Sequence, residues 1–249
     1  MKPFLKVLAA VTLLAVPSIP WAEDLYAIAS HGSAQEVAAA VAKGKDSLNV
    51  PDLHGMTPLM YAAQLSMEPG VIDVLVDAGA KVDMTDASGN TALMIAAGAN
   101  AVPGIVEELL RKGAAINAAN KDGQTPLMRA AATGRNPQVI DALLKAGSDV
   151  AARDAADETA LILAAMLNPD PRVIDALVRG GARVNDRGRD GKTALMYAAQ
   201  FNQSADVIAA LLKYRAERSL KSSRGLTAYD YVRANPALAG SPVTRLLAP

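Results

Sequence analysis

The stretch GMTPLMYAAQ, Gly55 to Gln64, returns almost unchanged as GKTALMYAAQ, Gly191 to Gln200. Further copies, each beginning with threonine, are TALMIAAGAN from Thr91, TPLMRAAATG from Thr125, TALILAAMLN from Thr159 and TAYDYVRANP from Thr227. Together with Thr57 and Thr193 they place six threonines at a constant spacing of 34 residues. Self-similarity at one fixed period of this length is the sequence signature of a repeat architecture. The chain is therefore expected to stack copies of one structural unit.

A second block follows the first within each period. It reads VIDVLVDAGAKVD from Val71, and its copies begin at Ile105, Val139, Val173 and Val207. Apolar residues in it are three or four positions apart, as at Val71, Leu75 and Ala78, and this spacing predicts an amphipathic helix. The chain is 51% hydrophobic and 4% aromatic, which favours close-packed helices of small side chains over a β-sandwich. Each unit is expected to be a helix, a loop, a second helix and a turn.

Residues that start and end helices recur at matching positions. A proline stands before each of four second helices, where it removes no helical hydrogen bond: Pro69, Pro103, Pro137 and Pro171. Asn136, Asp170 and Ser204 are predicted to cap second helices with a side-chain oxygen. Glycines end the second helices at Gly79, Gly113, Gly147 and Gly181, and mark the turns at Gly55, Gly89, Gly123, Gly191 and Gly225. Asp157 replaces one turn glycine, so we expect the least stable seam there.

This arrangement resembles the ankyrin repeat, whose signature is a glycine turn, T-P-L, A-A and a second helix that ends in L-L-x-x-G-A. In the first full unit the pattern falls on Thr57, Pro58, Leu59, Ala62, Ala63, Leu75, Gly79, Ala80 and Val82. The resemblance covers roughly Asp24 to Ser241 and implies an all-α solenoid of helix-turn-helix repeats joined by hairpin-like β-turn loops. It also implies a protein that binds other proteins.

One departure from the family pattern concerns the histidine that usually follows T-P-L. Its positions hold Met60, Met94, Met128, Ile162 and Met196. Family members use this histidine to hydrogen-bond neighbouring loops, so packing between the repeats is expected to rest more on apolar contact here. The methionines themselves are interpreted as core residues that fill space.

The repeat predicts one domain behind a leader. Residues 1–22 are predicted to be a signal peptide, because Lys2 and Lys6 precede the apolar run Val7 to Val16. Residues 23–249 are predicted to be a single ankyrin-repeat domain. It consists of an N-cap unit (23–51), five full repeats (52–85, 86–119, 120–153, 154–187 and 188–221) and a C-cap unit (222–249). Caps are needed because no neighbour covers the outer faces of the end units.

Charge and composition limit the location and the partners. The chain has no cysteine, so disulfides and thiolate chemistry are excluded, and with the leader this favours the periplasm, or secretion. From Glu23 to Asn120 there are 12 acidic and 5 basic residues, and from Lys121 to Pro249 there are 13 and 18. The basic half lacks a basic stripe interleaved with aromatics, so we expect no nucleic-acid partner. No segment approaches the ~20 apolar residues of a membrane span. We expect a monomer.

No catalytic, cofactor or metal site is predicted. The two histidines, His31 and His54, have no partner histidine at ligand spacing. The letters GKT at Gly191 resemble the end of a phosphate-binding loop, but Asp186 stands where that loop requires glycine. A calcium loop from Asp186 would need glutamate at its twelfth position, which is Tyr197. We therefore expect a protein without enzymatic activity and without a cofactor.

Ankyrin-like proteins line a concave face with turn tips and first-helix positions. Carried over to this chain, the resemblance implies partner-binding residues at Tyr61, Leu65, Ile95, Arg129, Leu163, Met166, Leu167, Tyr197, Gln200 and Phe201. The neighbouring groove positions are Gln64, Gly98, Ala99, Ala132 and Thr133. Turn tips expected to give specificity are Leu53, His54, Met56, Ser88, Asn90, Lys121, Asp122, Gln124, Glu158, Arg189, Asp190 and Lys192. Leu163, Met166, Leu167, Tyr197 and Phe201 are predicted to form an exposed apolar patch, which is typical of a binding hot spot.

The functional hypothesis is an exported, non-enzymatic module that holds a partner protein on its concave face. In leader and size the chain is similar to a periplasmic branch of bacterial ankyrin-like proteins that is associated with catalase and peroxide resistance, which suggests a role in stress protection. Two alternatives remain at this point. A binder of a small lipophilic ligand would need an enclosed pocket. An antagonist of a toxic enzyme would need a charged groove complementary to that enzyme.

Overall fold

A computed structural model describes residues 22–238 and 240–248. The predicted signal peptide, apart from its last residue, lies outside the described residues. That last residue, Ala22, begins the first helix of the structure.

The described residues form fourteen α-helices in seven pairs, with a 3₁₀ turn at Lys45–Ser47. The first helices of the pairs are α1 (Ala22–His31), α3 (Pro58–Leu65), α5 (Ala92–Ala99), α7 (Pro126–Thr133), α9 (Ala160–Leu167), α11 (Ala194–Phe201) and α13 (Ala228–Ala234). The second helices are α2 (Ala34–Lys43), α4 (Gly70–Asp77), α6 (Pro103–Arg111), α8 (Pro137–Lys145), α10 (Pro171–Arg179), α12 (Ala205–Lys213) and α14 (Pro242–Leu247).

The helices stack in two layers. Each first helix packs against the first helix before and after it, and the second helices do the same from α2 to α14. Across the described ranges there is no strand, only two isolated antiparallel bridges, Thr85 with Thr91 and Arg187 with Thr193. The predicted all-α solenoid is confirmed. None of the helices in residues 22–238 and 240–248 has the length and apolar character that crossing a bilayer requires.

The threonine that begins each repeated phrase is an N-cap. In α3 the Thr57 hydroxyl accepts the Met60 N–H at 3.4 Å, and the Thr57 N–H points back at the Met60 sulfur at 3.4 Å. The hydroxyls of Thr91, Thr125, Thr159 and Thr227 accept the equivalent N–H groups of their helices, whereas that of Thr193 makes no such bond among the described residues. This role explains the constant phase of the threonine, because one side-chain oxygen satisfies an amide that the first turn leaves unpaired.

The caps of the second helices follow the prediction in part. Asn136 and Asp170 accept the N–H groups of Gln138 and Arg172 at 3.0 and 2.9 Å. The prediction for Ser204 was wrong: in the part of the chain that the structure describes, its hydroxyl makes no cap bond. The Ser204 N–H donates to the Asn202 side chain at 2.8 Å, as the Asp170 N–H does to Asn168 at 3.0 Å, but the serine hydroxyl is shorter than the aspartate side chain that completes the cap at Asp170.

The core is a continuous column of small and medium side chains. Paired alanines in each first helix, such as Ala62 and Ala63, are fully buried and let neighbouring helices approach closely. Met60, Met94, Met128 and Met196 are buried in the same column. They are core residues, as interpreted from their recurrence.

Polar contacts also join the repeats, which the sequence reasoning missed. The buried Asn100 amide donates to Ala63 O at 3.1 Å and to Ser66 O at 2.9 Å, both in the preceding repeat. Asn168, Asn202 and Asn235 repeat this pattern. Packing between repeats therefore rests on apolar contact and on a row of buried asparagines, which provides the polar link that the missing histidine does not.

Backbone hydrogen bonds between turn tips join most neighbouring repeats. Ala87 N–H donates to His54 O at 2.9 Å, and Ala155 N–H donates to Asp122 O at 2.9 Å. Within the described segments Arg189 N–H makes no such bond to Ala156 O. At that seam the Arg153 guanidinium instead donates to Asp157 O at 2.9 Å and to Arg187 O at 2.8 Å. Asp157 itself has φ 63°, the left-handed conformation that the other turns give to glycine.

Candidate functional site

The ten predicted partner-binding residues lie on five consecutive first helices, α3, α5, α7, α9 and α11. Their exposure differs by position. Leu65, Leu167 and Phe201, which are the last residues of their helices, are 43%, 54% and 51% exposed. Tyr61, Ile95, Arg129, Met166 and Gln200 are half-buried.

Two members of the predicted apolar patch belong to the core instead. Leu163 and Tyr197 are 2% and 5% exposed and pack within the central hydrophobic cluster. Both lie in the middle of their helix, where the first helices of neighbouring repeats pack together, whereas Leu167 and Phe201 lie at its end. The exposed patch therefore consists of Leu167 and Phe201, with Met166 half-buried beside them.

Lys192 organises the aromatic residues beneath this patch. Its ammonium lies 5.2 Å from the ring centroids of Tyr197 and Tyr231 and 5.8 Å from that of Phe201. The Asp190 carboxylate is 3.5 Å away. Lys192 is 5% exposed, so its predicted role as an exposed turn tip is corrected. Its alkyl chain and its charge are both held among rings whose faces attract a cation.

Tyr197 connects this cluster to the preceding repeat. At the equivalent positions Tyr61 donates to Asp52 at 2.7 Å and Tyr231 to Ser222 at 3.0 Å, each nine residues earlier. The residue nine before Tyr197 is Gly188, which has no side chain, and the Tyr197 hydroxyl interacts with Glu158 instead. Burial, followed by this interaction, raises the pKa of Tyr197. Burial also raises the pKa of Glu158, against the opposing effect of the tyrosine hydroxyl.

The N-terminal end of the same face is also aromatic and apolar. Tyr26 and Tyr61 meet edge to face with ring centroids 5.5 Å apart. Burial and the bond to Asp52 raise the pKa of Tyr61 to about 12, so this hydroxyl remains a donor at neutral pH. Leu65 and Met67 are exposed beside them.

The middle of the face is built from small residues around one arginine. Gly98 and Ala132 are buried there, and Ala99 and Thr133 are exposed. Arg129 is half-buried on α7, and its Nε is buried with no hydrogen-bond partner among the described residues. The face thus has apolar side chains at both ends and a basic group among small residues in its middle.

The outer face of the second helices is charged and regular. Ion pairs join residues 38 positions apart in neighbouring repeats: Asp73 with Arg111 at 2.5 Å, Asp141 with Arg179 at 3.5 Å and Asp175 with Lys213 at 3.1 Å. A depression of about 420 Å³ on this face is lined by these last four side chains together with Arg172 and Tyr214. Its charged lining does not suit a lipophilic ligand.

In the described part of the chain, no three His, Asp or Glu side chains come together as a group that could hold a metal ion. His54 lies in the exposed turn before α3, and its N–H donates to the Asp52 carboxylate at 2.8 Å.

Comparison with known proteins gives one result. A family model described as "Ankyrin repeats (3 copies)" matches residues 66–154 and 136–222, which together make more than half of the chain. No curated protein sequence matches the chain.

Proposed function

Because the chain belongs to the ankyrin repeat family, we propose that it is a non-enzymatic interaction module that works outside the cytoplasm and binds a partner protein on its concave face. The observation that carries the proposal is the exposed pair Leu167 and Phe201 at the ends of α9 and α11. These residues stand 34 positions apart, so they occupy the same place on adjacent helices. Clustered exposed apolar residues of this kind are typical anchors of protein interfaces.

The support beneath Phe201 favours a preorganised anchor. Its ring stacks on that of Tyr197, with centroids 6.3 Å apart and an angle of 27° between the planes. The Lys192 ammonium lies against both rings. A side chain fixed before binding loses less conformational entropy when the complex forms.

The two alternatives receive less support. A lipophilic ligand needs an enclosed apolar pocket, whereas Leu167 and Phe201 stand open to solvent and the 420 Å³ depression is charged. An antagonist of an enzyme needs a charged groove, whereas apolar side chains dominate both ends of this one.

Binding is tested by affinity capture from the native extract with three forms of the protein. We expect a partner that the wild type retains, that the double variant Leu167→Asp, Phe201→Asp loses, and that Leu246→Asp still retains. Leu246 is the matched control, since it is 51% exposed on α14. Equal capture by all three forms, or recovery of a small molecule without any protein, would contradict the proposal. Helicity of each variant is checked by circular dichroism.

The proposed location outside the cytoplasm rests on residues 1–22. Their fusion to alkaline phosphatase lacking its own leader tests it, because that enzyme needs disulfides that form outside the cytoplasm. We expect phosphatase activity from the fusion. We expect none when charged residues replace Val11 and Leu13 in the apolar run. Activity that does not depend on the apolar run would contradict export by a leader.

The proposed role in peroxide protection rests on the similarity to the catalase-associated branch. It is tested by the survival of a deletion strain in hydrogen peroxide. We expect lower survival, restored by the wild-type protein but not by the Leu167→Asp, Phe201→Asp variant. Survival equal to that of the parent strain would contradict this role while leaving the binding proposal intact.

A further inference from the structure

Arg129 is a basic group without an acidic partner in the middle of the concave face. The four equivalent positions on the other full repeats hold Tyr61, Ile95, Leu163 and Tyr197. None of the ion pairs formed by the described residues includes Arg129, and its buried Nε has no hydrogen-bond partner there. A buried donor without an acceptor is unfavourable. Arg129 as a whole is only half-buried, so an anion on a partner can approach its guanidinium from the solvent side.

Gly98 on α5 lies directly against Arg129 and Thr133 on α7. A Cβ atom at residue 98 would lie 3.0 Å from Thr133 Oγ1 and 3.5 Å from Arg129 Nε. The Thr133 hydroxyl donates to Gly98 O at 3.1 Å, which fixes α7 against α5 at this point. The guanidinium thus lies over a floor formed by Gly98 and Thr133, between the apolar residues at either end of the face.

The apolar residues stand on both sides of this floor. Packed helices are about 8–10 Å apart, so Leu65 on α3 is roughly 16–20 Å from Arg129 along the stack. Leu167 is one helix away on the other side and Phe201 two. A partner that covers the whole face must present apolar groups at two places and an anion between them.

We propose that the concave face recognises a segment of its partner in which an aspartate or glutamate stands between two apolar clusters. The carboxylate pairs with the Arg129 guanidinium, and the apolar side chains contact Leu65 at one end and Leu167 with Phe201 at the other. Burial of this pair on binding strengthens it, because charge-assisted hydrogen bonds gain when water is excluded. This inference rests on the proposed function and names the chemistry of its partner.

The test uses a displayed library of random 24-residue peptides, a length that spans the face from α3 to α11 at about 1.5 Å per residue if helical. Selection on the purified protein is expected to enrich peptides with an acidic residue between apolar ones. Replacing that residue by its amide should weaken binding at least about tenfold. Arg129→Gln should weaken the acidic peptide by a similar factor and leave the amide peptide unchanged, which is the signature of a direct pair. Arg135→Gln, at an exposed residue two positions after α7, is the matched control.

The outcomes separate this inference from the proposed function. Some peptides could need Leu167 and Phe201 but bind the Arg129→Gln variant as tightly as wild type. That result would contradict the pairing of Arg129 with an acidic residue, while the proposed binding face would still hold. Peptides that ignore all three residues would count against the concave face itself. Self-association of the protein that Phe201→Asp abolishes, measured by sedimentation, would assign the face to a second copy and also overturn the proposal.

Discussion

The side-chain amide of Asn202 donates a hydrogen bond of 2.9 Å to the backbone carbonyl of Asn168, one repeat earlier. The same amide donates to Ala165 O at 2.9 Å, and the Asn202 Oδ1 accepts Ser204 N–H at 2.8 Å. The last carbonyls of a helix have no partner within it. One buried asparagine therefore binds a carbonyl of the last turn of α9, holds the loop that leads to α12 through the Ser204 N–H, and joins two repeats.

Asn202→Ala should destabilise the protein by about 2 kcal/mol, because it leaves two buried carbonyls and one amide without partners. The free energy of unfolding is measured by urea titration with circular dichroism. The neighbouring exposed Gln203 provides the control: Gln203→Ala should change stability by less than about 0.5 kcal/mol. Equal effects of the two substitutions would show that the asparagine row contributes nothing to cohesion between repeats.

The sequence predicts those features that recur with the period. Thr57 and its equivalents cap a helix in nearly every copy, so the structure predicted for one copy of the repeat applies to the others. Asn100, Asn168 and Asn202 also share one phase, and that recurrence was a signal of their common role. It passed unnoticed because Ser66 and Gly134 occupy the same phase in two other repeats.

Features built by residues of different phase and repeat could not be predicted. The burial of Lys192 depends on Tyr197 and Phe201 in its own repeat and on Tyr231 in the next. The interaction of Tyr197 with Glu158 depends on the absence of a side chain at Gly188. Each is a one-time contact across a seam, and neither leaves a periodic pattern. The sequence therefore predicted Leu163 and Tyr197 as exposed members of the candidate site, whereas both are buried.

Lys192→Ala should destabilise the C-terminal repeats by about 2 kcal/mol, since it removes the cation from three rings and leaves a cavity under Phe201. Lys192→Met keeps most of the volume and removes the buried charge, so its effect should stay within about 1 kcal/mol. Unfolding in urea gives both values, and near-ultraviolet circular dichroism reports the packing of the rings. An equal loss for methionine and for alanine would mean that the charge, and not the packing, holds the cluster.

Glu158 should make the protein less stable as pH rises through its folded-state pKa. Burial raises this pKa above the unfolded value, so the carboxyl favours folding when it is protonated, at pH below the unfolded value of about 4.3. That contribution is lost above the folded pKa. Glu158→Gln should therefore unfold at a higher temperature than wild type at pH 7.5, with the difference disappearing near pH 4. Thermal melts of both proteins across this range measure it. A variant that is less stable than wild type at pH 7.5 would show that the charged form is the favoured one.

Asp157→Gly should stabilise the protein by up to about 1 kcal/mol. Asp157 has φ 63°, a conformation that disfavours any residue with a Cβ, and glycine occupies this position in the other turns. The exposed pair that would be lost, Arg153 with Asp157 at 3.3 Å, contributes little. Arg215→Gly, at the other non-glycine residue with positive φ among the described residues, serves as a parallel case outside this seam.

Hydrogen exchange distinguishes relief of local strain from a general effect. The seam between the turns that contain Asp157 and Asp190 lacks the backbone bond from Arg189 to Ala156 in the described chain, so amides on both sides of it should exchange faster than those around Ala87 or Ala155. Asp157→Gly should slow exchange at this seam more than elsewhere, and Arg215→Gly should not. If protection at this seam already equals that at the others, the arginine contacts of Arg153 fully replace the missing bond. The predicted weak point would then be wrong.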